Sequence, residues 1–198
     1  MRRVSLVLAV LLLAVPGCAG QKKASDANFK KAINDFLSKS PLYVEIQQKL
    51  PADVSNAFLQ DQFVGRNLPA LEKAGLLRSS PVTVSQPGVN DGPGRRFELT
   101  DLGRKLAVPA AWNPDIMHFV YAKKAVHSIV NWTDPGDGDM VKVTYTYELD
   151  DVPEWAKLPE VQSSFGLDQV FAEAYGGSKK KEETILMILT NKGWEVKN

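Results

Sequence analysis

Val141-Lys142-Val143-Thr144-Tyr145-Thr146-Tyr147-Glu148-Leu149 alternates apolar and polar residues at every step. A strand turns successive side chains to opposite faces, so this run predicts a β-strand with Val141, Val143, Tyr145, Tyr147 and Leu149 on a buried side. Upstream, Asp134-Pro135-Gly136-Asp137-Gly138-Asp139 has the composition of a turn. Residues 116–132 before it are apolar and rich in β-branched side chains, which predicts a partner strand. Downstream, residues 153–163 and 167–175 read as short helices and residues 176–181 as a solvated connector. Residues 184–190 read as a strand apolar on both faces, and Asn191-Lys192-Gly193 turns it into a last strand at 194–196. Residues 112–198 are therefore expected to form a small, mostly antiparallel sheet with short helices.

Towards the N-terminus the period changes. Phe29, Ala32, Ile33, Phe36 and Leu37 recur at helical spacing opposite Lys30, Lys31 and Asp35, which predicts an amphipathic helix over 28–39 capped by Ser25 or Asp26. Pro41 ends it. A short strand at 42–46, helices at 56–63 and 68–77, a strand at 78–85, a loop at 86–94 and a strand at 95–99 follow. Thr100 caps a helix at 101–106. The phrase Leu68-Pro69-Ala70-Leu71-Glu72-Lys73-Ala74-Gly75-Leu76-Leu77, two strands, and then Phe97-Glu98-Leu99-Thr100-Asp101-Leu102-Gly103-Arg104-Lys105-Leu106 resemble a winged-helix module over residues 28–107. That resemblance implies a recognition helix and a wing, with Arg66, Lys73, Arg78, Arg95 and Arg96 as the available basic side chains. The expected fold class is α+β: a winged-helix-like half at 28–108, a boundary marked by Pro109 and Pro114, and an antiparallel half at 112–198.

The first residues carry an address. Met1-Arg2-Arg3 precedes an apolar run from Val4 to Val15, and Val15-Pro16-Gly17-Cys18 closes it. A run this short suits a secretory leader, whereas a bilayer-spanning helix needs about twenty residues. The arrangement resembles a bacterial lipoprotein signal peptide. The resemblance implies loss of residues 1–17, a diacylglycerol on the Cys18 sulfur, an acyl group on the new amine, and a lipidated tether at 18–27. Two or more acyl chains hold a protein stably at a membrane. Ala19 in place of Asp implies an outer-membrane address facing the periplasm in a Gram-negative cell, and the outer face of the plasma membrane in a Gram-positive one.

Cys18 is the chain's one cysteine, so the body has no disulfide. With Arg2 and Arg3 taken from the 24 basic residues, 22 face 23 acidic ones. A near-neutral body outside the cytoplasm is a poor match for nucleic acid, whose recognition leans on net positive charge.

Candidate chemistry is sparse. Asp134, Asp137 and Asp139 lack the spacing of a calcium loop, and a tight turn accounts for them. His118 and His127 are nine apart, which in an unbroken strand turns them to opposite faces, and no cysteine completes a zinc site. Glu148, Asp150, Asp151 and Glu154 gather near one strand end, where paired carboxylates could act on a glycoside. Trp112, Trp132, Trp155 and Trp194 are expected to fill a small core. No metal, cofactor or catalytic residue is implied.

The leading expectation is a lipid-anchored envelope protein without catalysis that binds a protein or cell-wall partner. The alternatives are an immunity or inhibitor lipoprotein directed at a toxin or hydrolase, and a hydrolase using the carboxylate cluster. A hydrolase requires those carboxylates to converge in a pocket, whereas a binder requires an exposed apolar patch. Cys18→Ser is expected to abolish metabolic labelling with a radioactive fatty acid and to release the protein from membranes; retention of an unlabelled wild-type protein would contradict the anchor.

Overall fold

The computed structural model describes residues 22–60, 65–86, 89–136, 138–175 and 180–197. The leader, Cys18, Asp137 and most of the connector at 176–181 lie outside the described residues, as does the end of the helix expected at 56–63.

Ser25 sets where the first helix begins. Its backbone is extended, and its Oγ accepts from the Asn28 N–H at 3.4 Å, opening α1 (Asp26–Leu37). Phe29, Ile33 and Leu37 form the buried face of α1. The chain continues through β1 (Leu42–Ile46), β2 (Ala52–Ser55), the single turn α2 (Asn56–Leu59), α3 (Asn67–Lys73), β3 (Leu77–Gln86), β4 (Val89–Leu99), α4 (Asp101–Leu106) and β5 (Ala107–Ala110). After β6 (Asn113–Trp132) and β7 (Met140–Asp150) come a 3-10 turn at Glu154–Lys157, α5 (Pro159–Phe165), α6 (Asp168–Tyr175), β8 (Glu182–Thr190) and β9 (Gly193–Val196).

The architecture is mixed α+β: a curled antiparallel sheet with several short helices around it. The larger sheet runs β1-β6-β7-β8-β9, with β5 also paired to β6; the smaller runs β2-β4-β3. The 20-residue β6 changes partners along its length. Met117 to Ala122 pair with β1, and from Lys123 onward the strand pairs with β7. The register shifts twice in the second half, between Val126 and Ser128 and between Ile129 and Asn131. Such bulges bend a strand and deepen its twist.

Helix α1 packs against both β6 and β9. Phe29 sits edge-on between Trp132 of β6 and Trp194 of β9, with centroids 5.4 and 5.2 Å away. At the first bulge Asn34 Oδ1 accepts from the Val126 N–H at 2.8 Å, and Lys30 Nζ donates to the His127 carbonyl at 3.2 Å. The helix thereby supplies partners to strand groups that have no neighbouring strand on that side.

A winged-helix half is not supported. The order β2-β4-β3 with α2 and α3 between β2 and β3 is present, but a winged helix also needs its first helix on the other two. Here α1 lies on the larger sheet, β1 pairs with β6, and α3 packs on α5. The apolar face of α1 matches the β6–β9 gap, and a spacing rule reads only that the face exists.

Other expectations shift in detail. Helix α3 stops at Lys73, because Gly75 takes a left-handed φ of 75° and the Gly75 and Leu76 N–H groups bond back to Glu72 and Leu71. The expected loop at 86–94 is largely strand. Pro93 fits there because β2 pairs with β4 from Gly94 onward and leaves that flank of β4 free. A side chain at Gly94 would meet the Val54 carbonyl at 2.5 Å, so glycine permits the strands to close. Strands β2 and β5 escaped the sequence reading; each is four residues long. Strand β3 forms one border of the smaller sheet, with Pro81 in its middle. Of the four tryptophans expected in the core, Trp155 and Trp194 are buried; Trp132 is 38% exposed, and Trp112 is 67% exposed in the turn between β5 and β6.

Asn34→Ala should strip the Val126 N–H of its partner and cost about 1–3 kcal/mol, read as a lower urea midpoint. Ser38→Ala, at the exposed end of the same helix, should leave that midpoint nearly unchanged.

Candidate functional site

Thr100 braces one wall of an apolar hollow on the surface. Its Oγ1 accepts from the Gly103 N–H at 2.9 Å and donates to the Gly75 carbonyl at 2.7 Å, tying the start of α4 to the end of α3. Gly103 makes that approach possible, since a Cβ there would fall 2.0 Å from the Leu76 carbonyl. Leu102 is thereby held facing outward, while Leu106 packs partly against the core. The opposite wall is the 3-10 turn after β7. Trp155 is buried there and packs edge-on to Phe119 of β6 at 6.1 Å. Between the walls lies a cleft of about 430 Å3 lined by Ala74, Leu102, Leu106, Pro153, Glu154, Trp155 and Leu158. Leu102 is 47% exposed. Glu154, the one charged lining residue, accepts from Lys157 at 2.5 Å. Beside the cleft, Lys73 of α3 pairs with Glu160 of α5 at 3.1 Å; the Glu160 backbone N–H, and then Lys73, hold the carboxyl below its usual range.

The four carboxylates singled out from the sequence do not converge. Glu148 lies 3.3 Å from His127 Nδ1 and 3.5 Å from Lys180 Nζ, on the outward face of β7. Asp150 accepts from the Asp151 N–H at 2.9 Å. Asp151 has a left-handed φ of 54° and pairs with Lys123 at 2.8 Å, raising the lysine above its usual value. Glu154 alone of the four borders the cleft. The histidines are likewise apart. His118 stacks on Tyr43 at 3.8 Å with Nε2 3.0 Å from Glu45 of β1, while His127 sits at the β6 bulge next to Glu148. Asp134 accepts from the Gly136 N–H at 3.0 Å in a tight turn, and the Asp139 carbonyl accepts from Leu189. Among the described residues no three His, Cys, Asp or Glu side chains gather as a metal site.

Four of the five basic residues named for the winged-helix resemblance are matched. Lys73 pairs with Glu160, Arg78 with Glu98, Arg95 with Glu72 and Ser79, and Arg96 with Asp53 at 2.6 Å. The Arg96 contact lowers the Asp53 carboxyl and raises the guanidinium.

One polar group was not foreseen. On the inner face of the larger sheet, Tyr145 donates to Glu183 at 2.9 Å, and Lys124 donates to the same carboxylate at 2.6 Å. Lys124 also lies 4.2 Å from the centre of the Tyr147 ring. Tyr147 donates to Glu173 of α6 at 3.3 Å, and Glu173 accepts from Gln169 and Lys181 as well. Burial, then Glu183, pushes the Tyr145 phenol well above its usual value; burial, then the charge of Glu173, pushes Tyr147 up to about 12. Every polar atom named here has a partner, so the group acts as a latch between α6 and the sheet. Its one trace in the sequence is that two of the five inward positions of β7 are tyrosines, whose hydroxyls require partners when buried.

No protein-family model matches the chain, and neither does any curated protein or solved structure.

Both phenols are favoured in their protonated form by folding. Their contribution to stability is complete below pH 10, the ordinary tyrosine value; that of Tyr147 is lost as pH rises through about 12, and that of Tyr145 higher still. Urea midpoints should fall across that window in the wild type, and Tyr147→Phe should flatten the fall.

Proposed function

We propose that this chain is a cell-envelope lipoprotein without catalysis, anchored to the membrane through Cys18, whose body seats an apolar segment of a partner protein in the cleft between Leu102 and Trp155. The cleft carries this reading. Exposed apolar surface is kept where a partner covers it, and interface centres are poor in charge. Here a half-exposed leucine faces a buried tryptophan across an apolar floor, and Glu154 is already neutralised by Lys157. The walls are rigid, held by the Thr100 bonds on one side and by Trp155 on Phe119 on the other. A preformed site of this kind avoids the cost of ordering itself on binding.

The hydrolase reading loses its basis, because Glu148, Asp150 and Asp151 are directed to different partners and away from the cleft. An inhibitor of a toxin or hydrolase would use the same apolar cleft, and the identity of the captured partner separates it from a structural envelope contact.

A photoreactive residue at position 158, used in intact membranes, should yield a discrete crosslinked product. Leu102→Glu should remove that product while changing folding stability by less than about 1 kcal/mol, as surface substitutions do. The same product from the Leu102→Glu protein would overturn the assignment of the cleft.

A further inference from the structure

The face made by α1 and β9 carries a second contact surface. Trp194 donates its indole N–H to the Lys22 carbonyl at 3.2 Å, and Asn28 donates its side-chain amide to the Lys23 carbonyl at 2.8 Å. The two bonds pin the start of the described chain against the α1–β9 seam. Cys18 stands four residues before Lys22. An extended chain spans at most about 3.6 Å per residue, so the cysteine lies within about 14 Å of Lys22 in any conformation. A lipid on Cys18 therefore keeps this face near the bilayer.

The chemistry of the face suits that position. Two adjoining hollows of about 210 and 340 Å3 run along the seam, floored by Ala32, Phe36, Trp194 and Val196. Lys31, Lys39 and Lys192 stand at their margins, and Lys22 and Lys23 sit at the pinned end. The acidic groups nearby are Asp26, Asp35 and Glu195, and Asp35 is taken up by Lys31 at 2.6 Å. Among the described residues Lys22, Lys23, Lys39 and Lys192 have no carboxylate within ion-pair distance. Lysines that come within about one Debye length of an anionic membrane, about 8–10 Å at physiological salt, are drawn to its surface charge.

We infer that the α1–β9 face seats on anionic phospholipid headgroups beside the anchor, with Lys22, Lys23 and Lys192 as its main contacts. The inference rests on lipidation of Cys18. The body then lies against the membrane at a set orientation, and a lipid anchor with a basic patch gives the two signals that stable attachment needs.

The test uses the full lipidated chain in vesicles of phosphatidylcholine alone, or of equimolar phosphatidylcholine and phosphatidylglycerol, read by amide hydrogen exchange. Protection of residues 26–37 and 193–196 should rise on the anionic vesicles and fall by about fivefold for each lysine neutralised in Lys22→Gln, Lys23→Gln and Lys192→Gln. Unchanged exchange in β7 checks that the variants are folded. Equal exchange on both vesicles, with the lipid present in the mass of the N-terminal peptide, overturns the headgroup surface and leaves the anchor standing. A Cys18 peptide without lipid overturns both.

Discussion

The free flank of β6 is the constraint from which the rest of the larger sheet follows. From Met117 to Ala122 the strand has β1 beside it, and β5 pairs with its start; from Lys123 it has β7 on one side and, among the described residues, no strand on the other. Unpaired N–H and C=O groups away from water are costly, so that flank must be met by something. Helix α1 meets it, with Asn34 and Lys30 reaching the backbone at the bulge and Phe29 closing the gap to β9 through two tryptophans. The curl of the sheet, the burial of α1 and the position of Trp194 are parts of one arrangement: a bent strand, an exposed flank, and a helix wide enough to span from β6 to β9.

Features set by neighbours in the chain were readable from the sequence. The alternation from Val141 to Leu149 returned as β7, the helical spacing around Phe29 returned as α1, and Thr100 capped α4 as its side chain requires. Features set by distant partners were not. Strands β2 and β5 are too short to show a period, and they exist because β4 and β6 offer them backbone groups. Gly92, Pro93 and Gly94 read as a loop because turn residues and a freely flanked strand share a composition. The winged-helix phrases describe real local turns around Gly75 and Thr100, but the partner of α1 is decided some ninety residues away, by β6.

The candidate site followed the same division. Acidic residues that are neighbours in sequence, Glu148 to Glu154, were visible as a cluster; Glu148 and Asp150 share the outward face of β7 but take different partners, and the left-handed backbone at Asp151 turns the chain away after them. The cleft that the structure does present draws Ala74, Leu102, Leu106, Pro153, Trp155 and Leu158 from three separate segments of the chain. Each of these reads as an ordinary apolar position, and Leu102 is distinguished solely by staying half-exposed. Trp112 failed as a core residue for a related reason: a turn between paired strands points outward whatever side chain it carries.

Pro81, midway along β3, bears on how copies of this protein meet one another. Molecules held on a surface by lipid move in two dimensions and collide side-on, at an effective concentration far above that of the same molecules free in solution. A ten-residue bordering strand would in that setting invite a second β3 to extend the sheet across two molecules. A proline halfway along offers no N–H to such a ladder, so the match is broken at its centre. Within the fold β4 pairs with the other side of β3, so a strand approaching this border meets an interruption at Pro81.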